Sequence, residues 1–232
     1  MIGHISLDIE TANLDMEVEG LKFDDPQGWK TAVVGIHLCP YFSVAEPMDF
    51  VYVADSVLEE VRSKCTIAKN QRIHPFSKFH HHLADWKEKG FMLLTHNGLG
   101  FDLPIISKSV QDGGLGLEVK ALLETWPQAL MMDTCAILTK TTGVRYRLNH
   151  LIHGMLGEDS SKLMDAANAP KEWAKKNYDE VIRYCLDDCR KTLAVYQEAY
   201  KTGQFKAVGK EEYVIVPLLE YLETWLKEQN AI

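Results

Sequence analysis

Five residues with the chemistry of a hydrolytic metal site occur at three places along the chain. Asp8 and Glu10 stand near the start, Asp102 lies in the middle, and Tyr184 precedes Asp188 by one helical turn in the last third. Hard divalent cations prefer oxygen ligands, and a pair of them can stabilise both the attacking and the leaving oxygen of a phosphodiester. Four carboxylates and a phenol therefore suit metal-dependent phosphodiester hydrolysis if the fold brings them together.

The first two carboxylates fall on a predicted β-strand, residues 4–10. Apolar and polar residues alternate along it, with the apolar ones at the odd positions. A period of two predicts a half-buried strand, so Asp8 and Glu10 share a face, about 6–7 Å apart along the backbone. Both can then converge on one metal ion. The alternative is an ordinary strand with a solvated polar face.

Asp102 follows a predicted buried strand, residues 91–95, and a glycine-rich turn, and it stands at the start of a predicted helix, residues 102–111. Aspartate is a common helix cap because its carboxylate accepts backbone N–H groups that the helix leaves unpaired. A carboxylate at a strand-to-helix junction also lies where the ends of parallel strands commonly host ligands. Helix cap and metal ligand are both open interpretations for Asp102, and the two roles are compatible.

The third pair lies on the clearest helical pattern of the chain, at about residues 179–200. Apolar residues recur there at helical spacing. Tyr184 and Asp188 are four residues apart and therefore occupy one face, one turn from each other. Taken alone, Asp187 and Asp188 are also compatible with a plain solvated surface.

In this order, the three segments resemble the motifs of the DEDD superfamily of 3′-5′ exonucleases, in the DEDDy subclass whose third motif is Tyr-x-x-x-Asp. The matching residues are Asp8-Ile9-Glu10-Thr11, then Asn97-x-x-x-Phe101-Asp102, then Tyr184-Cys185-Leu186-Asp187-Asp188. Further similarity to exonucleases of the family B polymerase type is carried by Asp133-Thr134 at a strand end and by Leu148-x-x-Leu151 with Gly157 and Lys162. The resemblance covers about residues 4–200.

The resemblance implies an α/β fold of the ribonuclease H-like kind, with a mixed central sheet flanked by helices. It implies hydrolysis at the 3′ end of single-stranded nucleic acid, DNA favoured over RNA, with release of nucleoside 5′-monophosphates. Two divalent cations, Mg²⁺ or Mn²⁺, would be bound by the four carboxylates, and Tyr184 would orient the attacking water. Two other functions stay open: a nuclease-like module that binds without cleaving, and a metal-dependent phosphoesterase acting on small nucleotides.

Residues that would contact the strand are predicted in two groups. Thr11, Asn97 and Phe101 belong to the motifs that carry the resemblance. Residues 139–147 interleave basic residues with an aromatic, a composition that suits binding the end of a nucleic-acid strand. Tyr146 would stack on a base, and Arg145 and Arg147 would bind phosphates. An ordinary polar loop is the alternative for this second group.

Two further segments have weaker patterns. Residues 62–82 lack periodicity, carry several basic residues and end in three consecutive histidines. Adjacent residues of a helix or strand do not share a face, so we predict a mobile or surface segment rather than a metal site.

At the other end of the chain, Pro217 begins a predicted amphipathic helix. We assign residues 1–205 to the exonuclease domain and residues 206–232 to a strand and helix packed on the same domain.

Composition limits the cellular context. The chain has 232 residues, 25 basic and 33 acidic, for a net charge of −8. A protein that wraps duplex nucleic acid electrostatically is usually basic. We therefore expect low affinity for nucleic acid or a partner protein that delivers the substrate.

Five cysteines without a CxxC pair indicate reduced thiols in the core. The lack of a long apolar run predicts a cytoplasmic protein without a membrane anchor.

Overall fold

The computed structural model describes residues 2–13, 20–22, 25, 28–41, 46–108, 116–157, 163–208 and 213–218. Its centre is a six-stranded sheet in the order β4-β3-β2-β1-β5-β6. The strands are β1 (Gly3–Thr11), β2 (Thr31–Pro40), β3 (Met48–Val53), β4 (Gln71–Pro75), β5 (Met92–Thr95) and β6 (Met131–Asp133). In this sheet β2 is antiparallel to both of its neighbours, and the other pairs are parallel. The predicted mixed central sheet is confirmed, and its topology is consistent with a ribonuclease H-like fold.

Helices cover both faces of the sheet. They are α1 (Leu58–Lys64), α2 (Phe79–Glu88), α3 (Asp102–Lys108), α4 (Leu117–Glu124), α5 (Thr134–Thr142), α6 (Leu148–Leu156), α7 (Ala169–Ala174) and α8 (Tyr178–Thr202). Helices α2, α3 and α4 share one core with the odd-numbered residues of β1, and α8 packs across β1 and β2 on the opposite face. The N-terminal half of α8 shares a second core with β2 and β3.

β1 is buried on both faces, and the prediction of a half-buried strand is wrong in this respect. Ile5 and Leu7 pack in the core against α2 and α3, as the alternation predicts. On the other face, His4 and Ser6 are also buried. The reason is that β1 is an interior strand and α8 covers its polar face. Asp8 keeps partial exposure.

The second half of residues 62–82 forms regular elements, so the prediction of a mobile or surface segment is wrong there. β4 pairs in parallel with β3, and α2 begins at Phe79. His82 is half-buried, and its Nδ1 lies 2.6 Å from the hydroxyl oxygen of Tyr52. The sequence pattern is weak because β4 is a five-residue edge strand, too short to establish a period.

The chain continues past α8 into a small antiparallel sheet formed by β7 (Gln204–Val208) and β8 (Tyr213–Pro217). Phe205, Ala207 and Val216 are buried in a third core that contains parts of α5, α6 and α8. The boundary drawn between residues 205 and 206 therefore falls inside β7. Most of the predicted C-terminal amphipathic helix lies outside the described residues. Among the helices that the structure describes, none has the length and apolarity required to span a membrane.

Candidate metal-dependent active site

A close contact between sheet and helix brings motif one and motif three together. Gly35 on β2 is paired with Asp8 on β1. A Cβ atom on Gly35 would lie 2.7 Å from Sγ of Cys185 and 3.3 Å from Sγ of Cys189. Because glycine has no side chain, α8 can lie directly on the sheet at this point. Tyr184 and Asp188, on the same turns of α8, thereby come close to Asp8.

The carboxylates of the predicted site form one cluster. Glu10, Asp102 and Asp188 are buried, with 3 to 6% of their surface exposed. One oxygen each of Asp8 and Glu10 and the Sγ of Cys185 lie within 4.8 Å of one another. Burial raises the pKa of Asp8 well above its usual range, and the negative charges of Asp102, Asp188 and Glu10 raise it further. The structure therefore gathers the four carboxylates that the sequence places at three separate points.

This donor set fits hard divalent cations. Burial and mutual repulsion both act against the ionised form of Asp8. A bound dication adds positive charge at the same place, which reverses the electrostatic penalty. Oxygen ligands from Asp8, Glu10, Asp102 and Asp188 are the type that Mg²⁺ and Mn²⁺ take in proteins. The described residues thus contain an acidic cluster suited to metal binding.

The phenol of Tyr184 belongs to the same cluster. Tyr184 is 1% exposed, and its hydroxyl group donates a hydrogen bond to the carboxylate of Asp188. Burial raises the pKa of Tyr184 far above the usual range of a phenol, and the charges of Asp188, Glu10 and Asp8 raise it further. Tyr184 is therefore protonated at neutral pH and is a hydrogen-bonding group rather than a base.

Asp102 joins α3 to β1 across a long separation in sequence. It is the first residue of α3, as predicted, and its Oδ1 accepts the backbone N–H of Ile9 at 3.1 Å, 93 residues away. Ile9 stands between Asp8 and Glu10. The hydrogen bond therefore positions the motif-two carboxylate beside the motif-one pair.

Asp133 holds the turn that precedes Asp102. Its carboxylate is 3% exposed and accepts the backbone N–H groups of Asn97 and Leu99, each at 2.9 Å. It also accepts the N–H of Ala136 and so caps α5. Asn97 has a φ of 66°, a left-handed conformation that asparagine adopts more readily than most residues. The sequence indicated only that Asp133 ends a strand, and its positioning role depends on contacts between β5 and β6.

The predicted substrate contacts from the motifs lie around the cluster. Thr11 is buried at the end of β1, and Asn97 and Phe101 are half-buried in the turn before α3. The ring of Phe101 packs edge-to-face against Trp29, with 5.2 Å between ring centroids. Asn97 and Phe101 therefore stand at the border between the core and the surface near Asp102.

The placement of Tyr146 in the core disfavours the predicted stacking of its ring on a base. Its side chain is 7% exposed and packs in the core with residues of α5 and α6. Arg145 and Arg147, on either side, are exposed. Nε2 of His96 lies 3.1 Å from the backbone oxygen of Tyr146, so this loop adjoins the turn before Asp102. Phosphate binding by the two arginines stays a prediction.

Cys185 contributes to the cluster in a way that its sequence position does not indicate. All five cysteines are free thiols, as expected. Cys185 is fully buried, and its S–H donates to the backbone oxygen of Asp8 at 3.6 Å. Burial raises the pKa of its thiol well above the usual range. In the protonated form it packs α8 against β1, with Sγ within 4.8 Å of one carboxylate oxygen each of Asp8 and Glu10.

Comparison with known proteins finds similarity among solved structures. No protein-family model and no curated protein matches the chain. Among solved structures, the chain is similar to the family B DNA polymerase from the hyperthermophilic archaeon Pyrobaculum calidifontis, with a TM-score of 0.49 and 15% sequence identity over 86% of this chain. The chain covers 25% of the length of that polymerase chain.

Proposed function

We propose that the protein is a metal-dependent 3′-5′ exonuclease of the DEDDy type that hydrolyses single-stranded nucleic acid, with DNA favoured over RNA. The observation that carries the proposal is the meeting of four carboxylates and one phenol, from β1, α3 and α8, at a single point. A site that only bound nucleic acid would not require this concentration of buried negative charge. Hydrolysis assisted by two dications does require it.

Each residue of the cluster has a role in this proposal. Two dications, Mg²⁺ or Mn²⁺, would when bound supply a nucleophilic water of lowered pKa and stabilise the negative charge on the leaving oxygen. By the resemblance, Asp8 would be a ligand of both ions, and the charges of the other three carboxylates all act on it. By the same resemblance, Glu10 and Asp188 would complete the ion site that carries the nucleophile, and Asp102 would help to bind the second ion.

Tyr184 orients the attacking water through its hydroxyl group. Its hydrogen bond to Asp188 fixes the direction of the phenol oxygen. In the reaction the water oxygen bonds to phosphorus and the bond from phosphorus to the 3′ oxygen breaks. The 3′ oxygen then takes up a proton. The products are a nucleoside 5′-monophosphate and a strand one nucleotide shorter.

The remaining features concern how the strand reaches the site. Thr11, Asn97 and Phe101 would contact the terminal nucleotides, and Arg145 and Arg147 would bind phosphates on the β5 side of the site. The net charge of −8 disfavours strong non-specific binding. We propose that the protein acts in the cytoplasm on 3′ ends that a partner protein delivers.

The test is digestion of single-stranded DNA and RNA labelled at the 5′ or the 3′ end, with Mg²⁺ or Mn²⁺. We expect a ladder that shortens stepwise from the 3′ end, loss of activity with EDTA, and no activity in Asp8→Ala. Full activity in EDTA, or internal cuts in a circular strand that Asp8→Ala abolishes, contradicts the proposal. Faster hydrolysis of a mononucleotide ester than of oligonucleotides would identify a small-molecule phosphoesterase. Binding without cleavage would identify a non-catalytic module.

A further inference from the structure

A cavity of about 730 Å³ opens beside Tyr184, on the N-terminal turns of α8. Its lining includes Lys64 at the end of α1, Leu163, Lys176, Arg183 and Tyr184. The cavity therefore shares a wall with the carboxylate cluster, because Tyr184 belongs to both. Its volume falls in the range of about 300–1,000 Å³ that is typical of small-ligand sites, enough for a nucleotide.

The basic residues of this cavity differ in their availability. Lys64 and Lys176 both form ion pairs with Oε1 of Glu60, at 3.0 and 2.8 Å. Arg183 is exposed, and the described part of the chain contains no hydrogen-bonding or ion-pair partner for it. The lining also includes Asp179, whose Oδ1 accepts the N–H of Thr66 at 2.9 Å. Arg183 is thus the cation of this cavity that is available to a ligand.

The cavity also presents an apolar surface. Leu163 lines the cavity, and 61% of its surface is exposed. A guanidinium group binds the paired oxygens of a phosphate in a bidentate way, and an apolar side chain offers contact to the face of a base. An arginine and an exposed leucine in one cavity therefore match the two parts of a nucleotide.

We propose that this cavity binds the nucleotide adjacent to the scissile phosphodiester, with Arg183 on its phosphate and Leu163 against its base. The inference rests on the proposed exonuclease function, since the cavity adjoins Tyr184. It assigns a contact with the nucleic acid on the β4 side of the cluster. Arg145 and Arg147 lie near β5, which is on the other side of β1 in the order of the sheet. The single-stranded nucleic acid would then extend across the site from the β4 side to the β5 side.

The direct test measures binding of the full-length protein to a 5′-labelled single-stranded DNA oligonucleotide by fluorescence anisotropy at several salt concentrations. Asp8→Ala serves as the background, so that the strand is not degraded. In this background we expect Arg183→Gln to weaken binding about tenfold and to reduce the slope of log Kd against log salt by about 0.7, the value for one phosphate contact on a single strand. Leu163→Ser should weaken binding without changing the slope.

Arg72→Gln is the matched control. Arg72 is an exposed arginine on β4 that hydrogen-bonds to backbone oxygens of Lys69 and Gln71, away from the cavity. It should leave both affinity and slope unchanged. In the active enzyme, Arg183→Gln should raise KM for oligonucleotides about tenfold with kcat unchanged.

The outcomes separate this inference from the proposed function. If folded Arg183→Gln keeps the wild-type affinity and salt slope, the inference is overturned, whatever the enzyme cleaves. If the wild-type protein binds no single strand at all, the inference is overturned as well. If it binds the strand through Arg183 and does not cleave it, the proposed exonuclease activity fails and the binding site stands.

Discussion

Gly35 on β2 and Cys185 on α8 are so close that a single added methyl group would not fit between them. The Cβ of an alanine at position 35 would lie 2.7 Å from Sγ of Cys185, and real Cβ atoms essentially never make contacts this short. Gly35 is also the cross-strand partner of Asp8. The separation between sheet and helix, and with it the position of Tyr184 and Asp188 relative to Asp8, therefore depends on a residue without a side chain.

We expect Gly35→Ala to reduce kcat about a hundredfold, because displacing catalytic groups by about 1 Å costs on that order. The measurement is single-turnover digestion of an oligonucleotide with saturating Mn²⁺. Removing the sulfur atom should restore space, so Gly35→Ala combined with Cys185→Ala should recover part of the activity. Cys185→Ala alone is the control, because it removes the same sulfur atom without adding a Cβ at position 35. Normal activity of Gly35→Ala would contradict the close packing.

Tyr184 and Asp8 should differ in their effect on metal binding. Asp8→Ala removes a ligand and should abolish both activity and titratable Mn²⁺ sites. Tyr184→Phe keeps every carboxylate and removes one hydroxyl group, so its single-turnover rate should fall by roughly 10²–10⁴ while Mn²⁺ binding persists. Isothermal titration with Mn²⁺, run beside the rate measurement, separates the two effects. An unchanged rate in Tyr184→Phe would make this tyrosine a purely structural residue.

Because neighbouring carboxylates repel the charge of Asp8, replacing this residue should stabilise the metal-free protein. Its pKa is raised in the folded protein, so its ionised form opposes folding at neutral pH. Without metal, Asp8→Asn should therefore raise the free energy of unfolding by about 1 kcal/mol and the melting temperature by about 2–4 °C. With millimolar Mn²⁺ the wild type should gain stability and the variant should not. Thermal melts in EDTA and in Mn²⁺ measure both effects, and a variant less stable in EDTA would contradict the repulsion.

His4 should make the protein sensitive to mild acid. The imidazole is buried under α8 against the rings of Tyr41 and Tyr196, and burial lowers its pKa from 6.5 to about 4. Between these values the unfolded chain binds a proton at this residue and the folded protein does not. Stability therefore falls as pH drops from 6.5 towards 4, by at most about 1.4 kcal/mol per pH unit.

The measurement for His4 is urea unfolding at pH 7, 6 and 5. In His4→Gln, which cannot take up a proton, stability should depend less steeply on pH than in the wild type. The comparison of slopes is informative even if the substitution lowers stability at every pH. Equal slopes would show that His4 does not titrate in this range.

Local patterns predicted the elements that carry the candidate site. Alternation along β1 placed Asp8 and Glu10 on one face, and helical spacing along α8 placed Tyr184 above Asp188. These predictions succeed because side-chain direction follows from the period of a single strand or helix. The same patterns carry no information about which other element packs on each face. For that reason they did not predict the burial of the polar face of β1 or of Tyr146.

The sequence by itself determined the chemical types of the site, namely four carboxylates and a phenol, and the strands and helices that present them. Only the tertiary structure decided that they meet. Gly35 admits α8 to the sheet, Asp102 reaches Ile9 across 93 residues, and Asp133 holds the turn between β5 and α3. Such contacts join residues that are distant along the chain, and no periodicity within one element specifies them. Their geometry results from the packing of helices against a common sheet.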